Sequence, residues 1–404
     1  MTLDYPMASI LVGGSLAFAA ATAVGAAAAR AGFPLPPGER RIGCVDGLRG
    51  YLALAVLVHH FVVWMQVTRL GGTWSAPGVA LLNNLGAGGV ALFFMTTGLV
   101  FYPRILRGFR ATPWPSVAVT RVFRIVPLVA VSVAVVAAVI VLRTGARPGA
   151  GDLGAALDWI TARAQPPLLG DPDSGRIDAY VLWSLHFEWI FYVAVLPACA
   201  LAMDAARGRA PSWAVPGALF CAALLARQIH PQDLPRYLPL FALGMLAHEL
   251  QRSAAAARWL RGRLATAAAA AALVLGLTTA PDPYGLPQMA LLGFFFAAVA
   301  AGNGFGGLLR TRGALALGEC SYGIYLLHGI VLSLLFVEGA GLLRGIPTGW
   351  LPLVAPAAAV AVAGITPLTY LAVERPMIAA GSRLARGLTR RRVFAAPLQA
   401  EVAP

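Results

Sequence analysis

The chain has 404 residues, of which 59% are hydrophobic and only 12% charged, and its mean hydropathy is +0.74. A soluble protein of this length would have too little polar surface to cover itself, so the composition excludes ordinary soluble enzymes and predicts an all-α, polytopic transmembrane helical bundle. The formal net charge of +14 comes from arginines clustered between apolar runs, a pattern of membrane orientation rather than of nucleic-acid binding.

A window of about 19 residues picks out eleven apolar segments, near 8–29, 50–69, 79–102, 118–142, 183–203, 213–230, 236–251, 264–281, 286–303, 315–337 and 350–372. The sixth and seventh are short and separated by the turn "PQDLP". If the stretch before Gly50 is cytoplasmic, alternate loops place 23 arginines inside and 8 outside. That satisfies the positive-inside rule with the N-terminus out and the C-terminus in. The first segment lacks the basic start of a signal peptide and reads as an extra membrane helix, an overcalled start codon being the alternative. The four cysteines, Cys44, Cys199, Cys221 and Cys320, have no C-x-x-C spacing, so neither a disulfide framework nor a metal site is expected. Three regions result: an N-terminal helix and cytoplasmic linker over 1–43, a membrane domain over 44–377, and a basic cytoplasmic tail over 378–404.

The polar residues that interrupt these segments carry the chemistry. In "DGLRGYLALAVLVHHF", Arg49 and His60 are eleven apart, within about 20° of one helix face and about 16 Å along the axis. Asp46 falls about 40° off that line and His59 about 80° away. With Arg49 at the inner surface, His60 lies near the bilayer midplane, where an ionisable group is read as functional. The bland alternative is a snorkelling Arg49 and a His60 bonded to a neighbouring helix. That spacing suits an extended ligand with an anionic end near Arg49 and a reactive end near His60. "TRVFRIVP" places Arg121 and Arg124 on one face, able to clamp phosphate or merely to anchor the helix. "WSLHFEWIFY" carries Ser184 and Glu188 one turn apart, among aromatics that also suit an interfacial belt. "LGECSYGIYLLHGIV" aligns Ser321, Tyr325 and His328 on one stripe. "YLAVERP" ends the last membrane helix at Glu374 and Arg375, because Pro376 discourages continuation. His230 and His248 lie at helix ends near water and need no special role. No nucleophile elbow, P-loop or zincin motif occurs.

Taken in order, "VDGLRGYLALAVLVHHF", "LFFMTTGLVF", "TRVFRIVPL", "WSLHFEWIFYVAVLP", "LGECSYGIYLLH" and "PLTYLAVERPM" resemble the acyltransferase-3 family of integral-membrane O-acyltransferases. The resemblance covers about 44–377, without the C-terminal esterase-like domain of some members. It implies ten membrane helices, so the N-terminal one is extra. It also implies an acyl-CoA donor, usually acetyl-CoA, and a hydroxyl acceptor, commonly on a sugar of a surface polysaccharide, glycolipid or glycosylated natural product. By position, Arg49 matches the family's D-G-L-R-G arginine, His60 its essential histidine, Arg121 and Arg124 its R-x-x-R pair, and Glu188 the carboxylate of W-S-L-x-x-E-W. Val45 and Thr97 depart from the usual Leu and Ser, and neither change removes the implied chemistry.

The expected mechanism is acyl transfer with His60 as general base, Glu188 and Asp46 beside it, and Arg49, Arg121, Arg124, Ser321, Tyr325 and His328 on the donor. An acyl-histidine route stays open. A glycan or lipid transporter, or an inactive scaffold of the same fold, is the rival reading. No inverted repeat or matched pair of broken helices favours a transporter.

Overall fold

A computed structural model describes residues 3–35, 43–231 and 234–395. The linker before Gly43, the centre of the "PQDLP" turn and the end of the tail lie outside the described residues. Long apolar runs form helices here because, in lipid, a backbone must satisfy its own hydrogen bonds. In chain order the helices are α1 Met7–Arg30, α2 Gly43–Arg69, α3 Ala80–Arg107, α4 Trp114–Thr144, α5 Ala150–Ile160, α6 Ser174–Ile177, α7 Trp183–Ile190 and α8 Leu196–Ala206. There follow α9 Ala214–Ala226, α10 Leu238–Arg252, α11 Ala254–Leu260, α12 Arg263–Thr278, α13 Leu286–Ala300, α14 Arg312–Glu319, α15 Ser321–Ser333, α16 Ala340–Leu343, α17 Ala355–Thr369 and α18 Arg375–Ala395. No named strand occurs among the described residues.

Seven described helices are long and apolar enough to cross a membrane, and α11 with α12, bent by 68°, would make an eighth. The eleven expected segments all contain helix, but several are short. At 15 residues each, α10 and α13 rise only about 22 Å, less than the roughly 30 Å hydrocarbon thickness. The tenth segment is divided at Cys320, where α14 ends and α15 begins.

The end of the last segment needs correction. Pro376 does not stop the helix: α17 passes through a π turn, Tyr370–Glu374, into α18. The wider turn precedes the proline, and Pro376 falls at the second position of α18, where its missing N–H costs least. The boundary expected at 378 therefore lies inside one helix. α18 lies along α4, where Ser116 Oγ donates to Ala385 O at 3.0 Å.

Glycines set how closely the central helices approach. A Cβ on Gly47 would collide with Leu309 O, and one on Gly318 with Asp46 O. The start of α2, which carries Asp46 and Arg49, thus rests backbone to backbone on α14. The α3–α10 crossing is built likewise: Gly98 meets Phe241 O and Gly244 meets Met95 O. Small residues are the usual means of such contact where lipid supplies no hydrophobic drive between helices. α1 packs across α14 and α17 through Ala17, Ala21 and Gly25, all buried.

Gly318→Val and Gly98→Leu are expected to force these crossings apart, costing about 1–3 kcal/mol or more. The check is a lowered Tm of the purified protein, with Gly364→Ala, at an open helical position, as a comparison at a site without a close neighbour.

Candidate active site

One cavity of about 620 Å³ runs into the bundle between α2, α3, α4, α7 and α15. Arg49, Asp46, Arg121 and Arg124 line it together with His248 and Gln251. Thr97, Phe101, Glu188, Tyr192 and Tyr322 form more of the wall, and Ser184, Ser321 and Tyr325 complete the polar lining. Residues scattered from 46 to 325 thus share one chamber.

Its arginines are held by aromatic faces rather than by carboxylates alone. The Arg121 guanidinium carbon lies 5.0 Å from the Phe101 ring centre and 5.9 Å from that of Tyr192, and Arg104 covers Phe101 at 4.7 Å. Stacked this way, a guanidinium keeps its in-plane donors for an anion. Arg121 Nε is buried without a hydrogen-bond partner among the described residues. Arg49 pairs with Asp46 at 3.8 Å, one turn earlier on α2.

Glu188 is fixed from two sides. Thr97 Oγ1 donates to Oε1 at 3.1 Å and Tyr192 OH to Oε2 at 3.2 Å. Tyr192 reaches back from a π turn, Phe191–Val195, that follows α7 directly. Ser184 Oγ and Tyr325 OH are 2.8 Å apart, and Tyr325 OH also donates to Val181 O at 3.0 Å.

His60 and His328 do not line the chamber; they face each other. His328 Nε2 lies 3.0 Å from His60 Nδ1, with the ring centres 5.0 Å apart. His328 is fully buried, and the structure puts it on the imidazole rather than with the arginines. Tyr325 is the link, since its ring lines the chamber and sits 6.1 Å from the His328 ring. His59 turns away, its Nδ1 donating to Leu82 O at 2.8 Å.

Several further residues had not been assigned to the site. His248, set aside as a helix-end residue, lines the chamber, and its Nδ1 lies 2.9 Å from Gln251 Nε2. Glu374 is 1% exposed, both its oxygens lack a partner among the described residues, and a Cβ on Gly323 would sit 3.3 Å from it. Glu374 was visible as the acid of "YLAVERP", and Tyr192 by its place four residues after Glu188 on the same helix face.

The segment between α4 and α7 folds back onto the bundle. A Cβ on Gly329, next to His328, would strike the Asp178 carbonyl. The next two residues, Ala179 and Tyr180, hold left-handed conformations at φ 59° and 53°, strain that non-glycine residues keep only where packing enforces it. Tyr180 then lines a second cavity of about 340 Å³ with Gln165, Trp183, His186 and Phe187. The two cavities share the first turn of α7.

The profile of the acyltransferase domain family matches residues 42–370. The chain belongs to the acyltransferase-3 family. It is therefore an integral-membrane acyltransferase by family and by its apolar helices. It is also similar to the exopolysaccharide production protein ExoZ of Rhizobium meliloti (strain 1021), 27% identical over 333 residues, which span 76% of this chain and 95% of that protein. No solved structure matches.

Asp178 supplies a pH test of the folded-back segment. Burial raises its carboxyl to about 7, against the lowering effect of hydrogen bonds from Gln165 Nε2, at 3.0 and 2.9 Å, and from Tyr180 N, at 3.0 Å. A carboxyl raised in the folded state stabilises fully below its ordinary range, and that contribution is lost as pH rises through about 7. Protease nicking within 143–182 should accelerate between about pH 4 and 7, and Asp178→Asn should flatten the dependence.

Proposed function

We propose that the protein moves an acyl group, in the first instance acetyl, from acyl-CoA to a hydroxyl of a carbohydrate, glycolipid or glycosylated natural product, with His60 as general base. The observation that carries the reading is the chamber with guanidinium groups on its wall and with Tyr325, whose ring lies 6.1 Å from that of His328 in the His60–His328 pair, in its lining. Acyl-CoA has the matching layout: phosphates at one end and a thioester at the other. Arg49, Arg121 and Arg124 would hold the phosphates through charge-assisted hydrogen bonds. The stacked Arg121, with its buried Nε lacking a partner among the described residues, fits that task.

For the thioester to meet His60, the Tyr325 ring must swing aside. The acceptor we assign to the second cavity, where Trp183, Phe187 and Tyr180 offer stacking faces and Gln165 and His186 hydrogen bonds. The similarity to ExoZ, named for exopolysaccharide production, supports a sugar hydroxyl. His60 Nε2 takes the hydroxyl proton as oxygen attacks the acyl carbon, and free CoA thiol leaves. Glu188, held by Thr97 and Tyr192, shapes the chamber between the two ends, and Asp46 steadies Arg49. We assign the protein to a bacterial cytoplasmic membrane with its C-terminus inside, the orientation favoured by arginine distribution. Donor and arginines then meet from the cytoplasm.

The test is release of CoA thiol from acetyl-CoA by purified protein in nanodiscs, with and without candidate glycans. His60→Ala should lower turnover by about 10²–10⁴ while leaving the protein folded; full activity would remove His60 from the mechanism. Arg121→Ala should instead raise KM for acetyl-CoA about ten- to a hundredfold, the worth of one hydrogen bond to a charged group. Substrate transport without thiol release would favour the transporter reading.

A further inference from the structure

The two facing imidazoles allow their protons to be assigned. Each Nδ1 lies against a main-chain carbonyl one turn earlier on its own helix: His60 is 3.1 Å from Val56 O and His328 is 3.1 Å from Ile324 O. A carbonyl oxygen accepts and cannot donate, so each Nδ1 carries the hydrogen. A neutral imidazole has a single N–H, which leaves Nε2 of both rings with a bare lone pair. The 3.0 Å contact is then an N–H···N bond in which His60 Nδ1 donates to His328 Nε2, sharing its proton with Val56 O. The reverse assignment sets bare Nδ1 lone pairs against oxygen lone pairs on both helices.

We propose that His328 is a positioning residue that holds His60 in the tautomer with Nδ1 protonated and Nε2 free, so that the free nitrogen is the base. The inference rests on the proposed acyl transfer and adds which atom acts and what selects it. In the step, the acceptor hydroxyl passes its proton to His60 Nε2 while its oxygen bonds to the acyl carbon. The carbon–sulfur bond then breaks, and the leaving thiolate takes that proton from Nε2 to give free thiol. His328 accepts from Nδ1 throughout and stays neutral. A carboxylate in its place would bring a charge into the middle of the bundle, where charge is costly. His59 does not take this place: its ring stands edge-on to that of His60, centres 4.8 Å apart at 81°, and the ring nitrogen that meets His60 Nδ1 is Nε2 of His328.

The experiment is nitrogen-15 NMR of the full chain in nanodiscs, labelled at its six histidines and assigned with His60→Gln and His328→Gln. Both His60 and His328 should show a protonated Nδ1 and a bare Nε2 at neutral pH, with nitrogen–nitrogen coupling across the bond. A His60 protonated at Nε2 would overturn the proposal. In turnover, His328→Leu should lower kcat about a hundredfold or more with KM for acetyl-CoA unchanged. His328→Gln, whose side-chain oxygen can accept from His60, should stay within about tenfold of wild type. Equal losses in both variants, or no loss in either, would also overturn it. A wild-type protein that releases no CoA would end the acyl-CoA reading alone, because the tautomer is read without turnover.

Discussion

Polar groups inside hydrocarbon have to be answered by other protein groups, and this bundle is organised around that demand. The Glu188 oxygens receive Thr97 and Tyr192, Arg121 lies on the faces of Phe101 and Tyr192, and His60 is met by His328. None of these partners is adjacent in sequence except Tyr192, so each pairing depends on helices brought close together. The glycine contacts between α2 and α14, and between α3 and α10, allow that approach. They also fix where Asp46 and Arg49 point.

Much of this was written in the local pattern of residues. Hydropathy finds each apolar run because a membrane helix must satisfy its own backbone, a demand that acts residue by residue. The face shared by Ser321 and Tyr325 survives folding, and both line the chamber with Arg49, Arg121 and Arg124. Relations between helices left no such trace. Nothing in "HHF" shows that His60 meets a histidine 268 positions later. His248 looked like a helix-end residue because its role comes from the neighbours α10 acquires, not from its own surroundings in sequence. Pro376 misled for a local reason: the usual cost of proline is removed by a widened turn just before it.

The separation of the arginine-lined chamber from the imidazole pair has its own meaning. Under the proposed mechanism, a base open to a water-accessible cavity would invite hydrolysis of an activated acyl group. Here Tyr325, held by Val181 and Ser184, stands where the chamber ends, and the folded-back Asp178 segment lies against Gly329 on the neighbouring turn. His328, fully buried, is thus flanked by Tyr325 and by that segment, while His60 keeps some exposed surface. Exclusion of water from a reacting centre is a recognised contribution to selectivity.

Three π turns occur among the described residues: Phe191–Val195 and Tyr370–Glu374 each lead straight into a further helix, and Leu334–Glu338 closes α15. Each carries one residue more than an α turn over a similar rise, so side chains beyond it are out of phase by about 100°. Glu188 and Cys199 are eleven apart, as are Arg49 and His60, yet they no longer share a helical-wheel sector. Loss of one residue from such a turn would restore a regular helix and swing everything after it to a different face, disrupting the packing without altering a single side chain in the chamber.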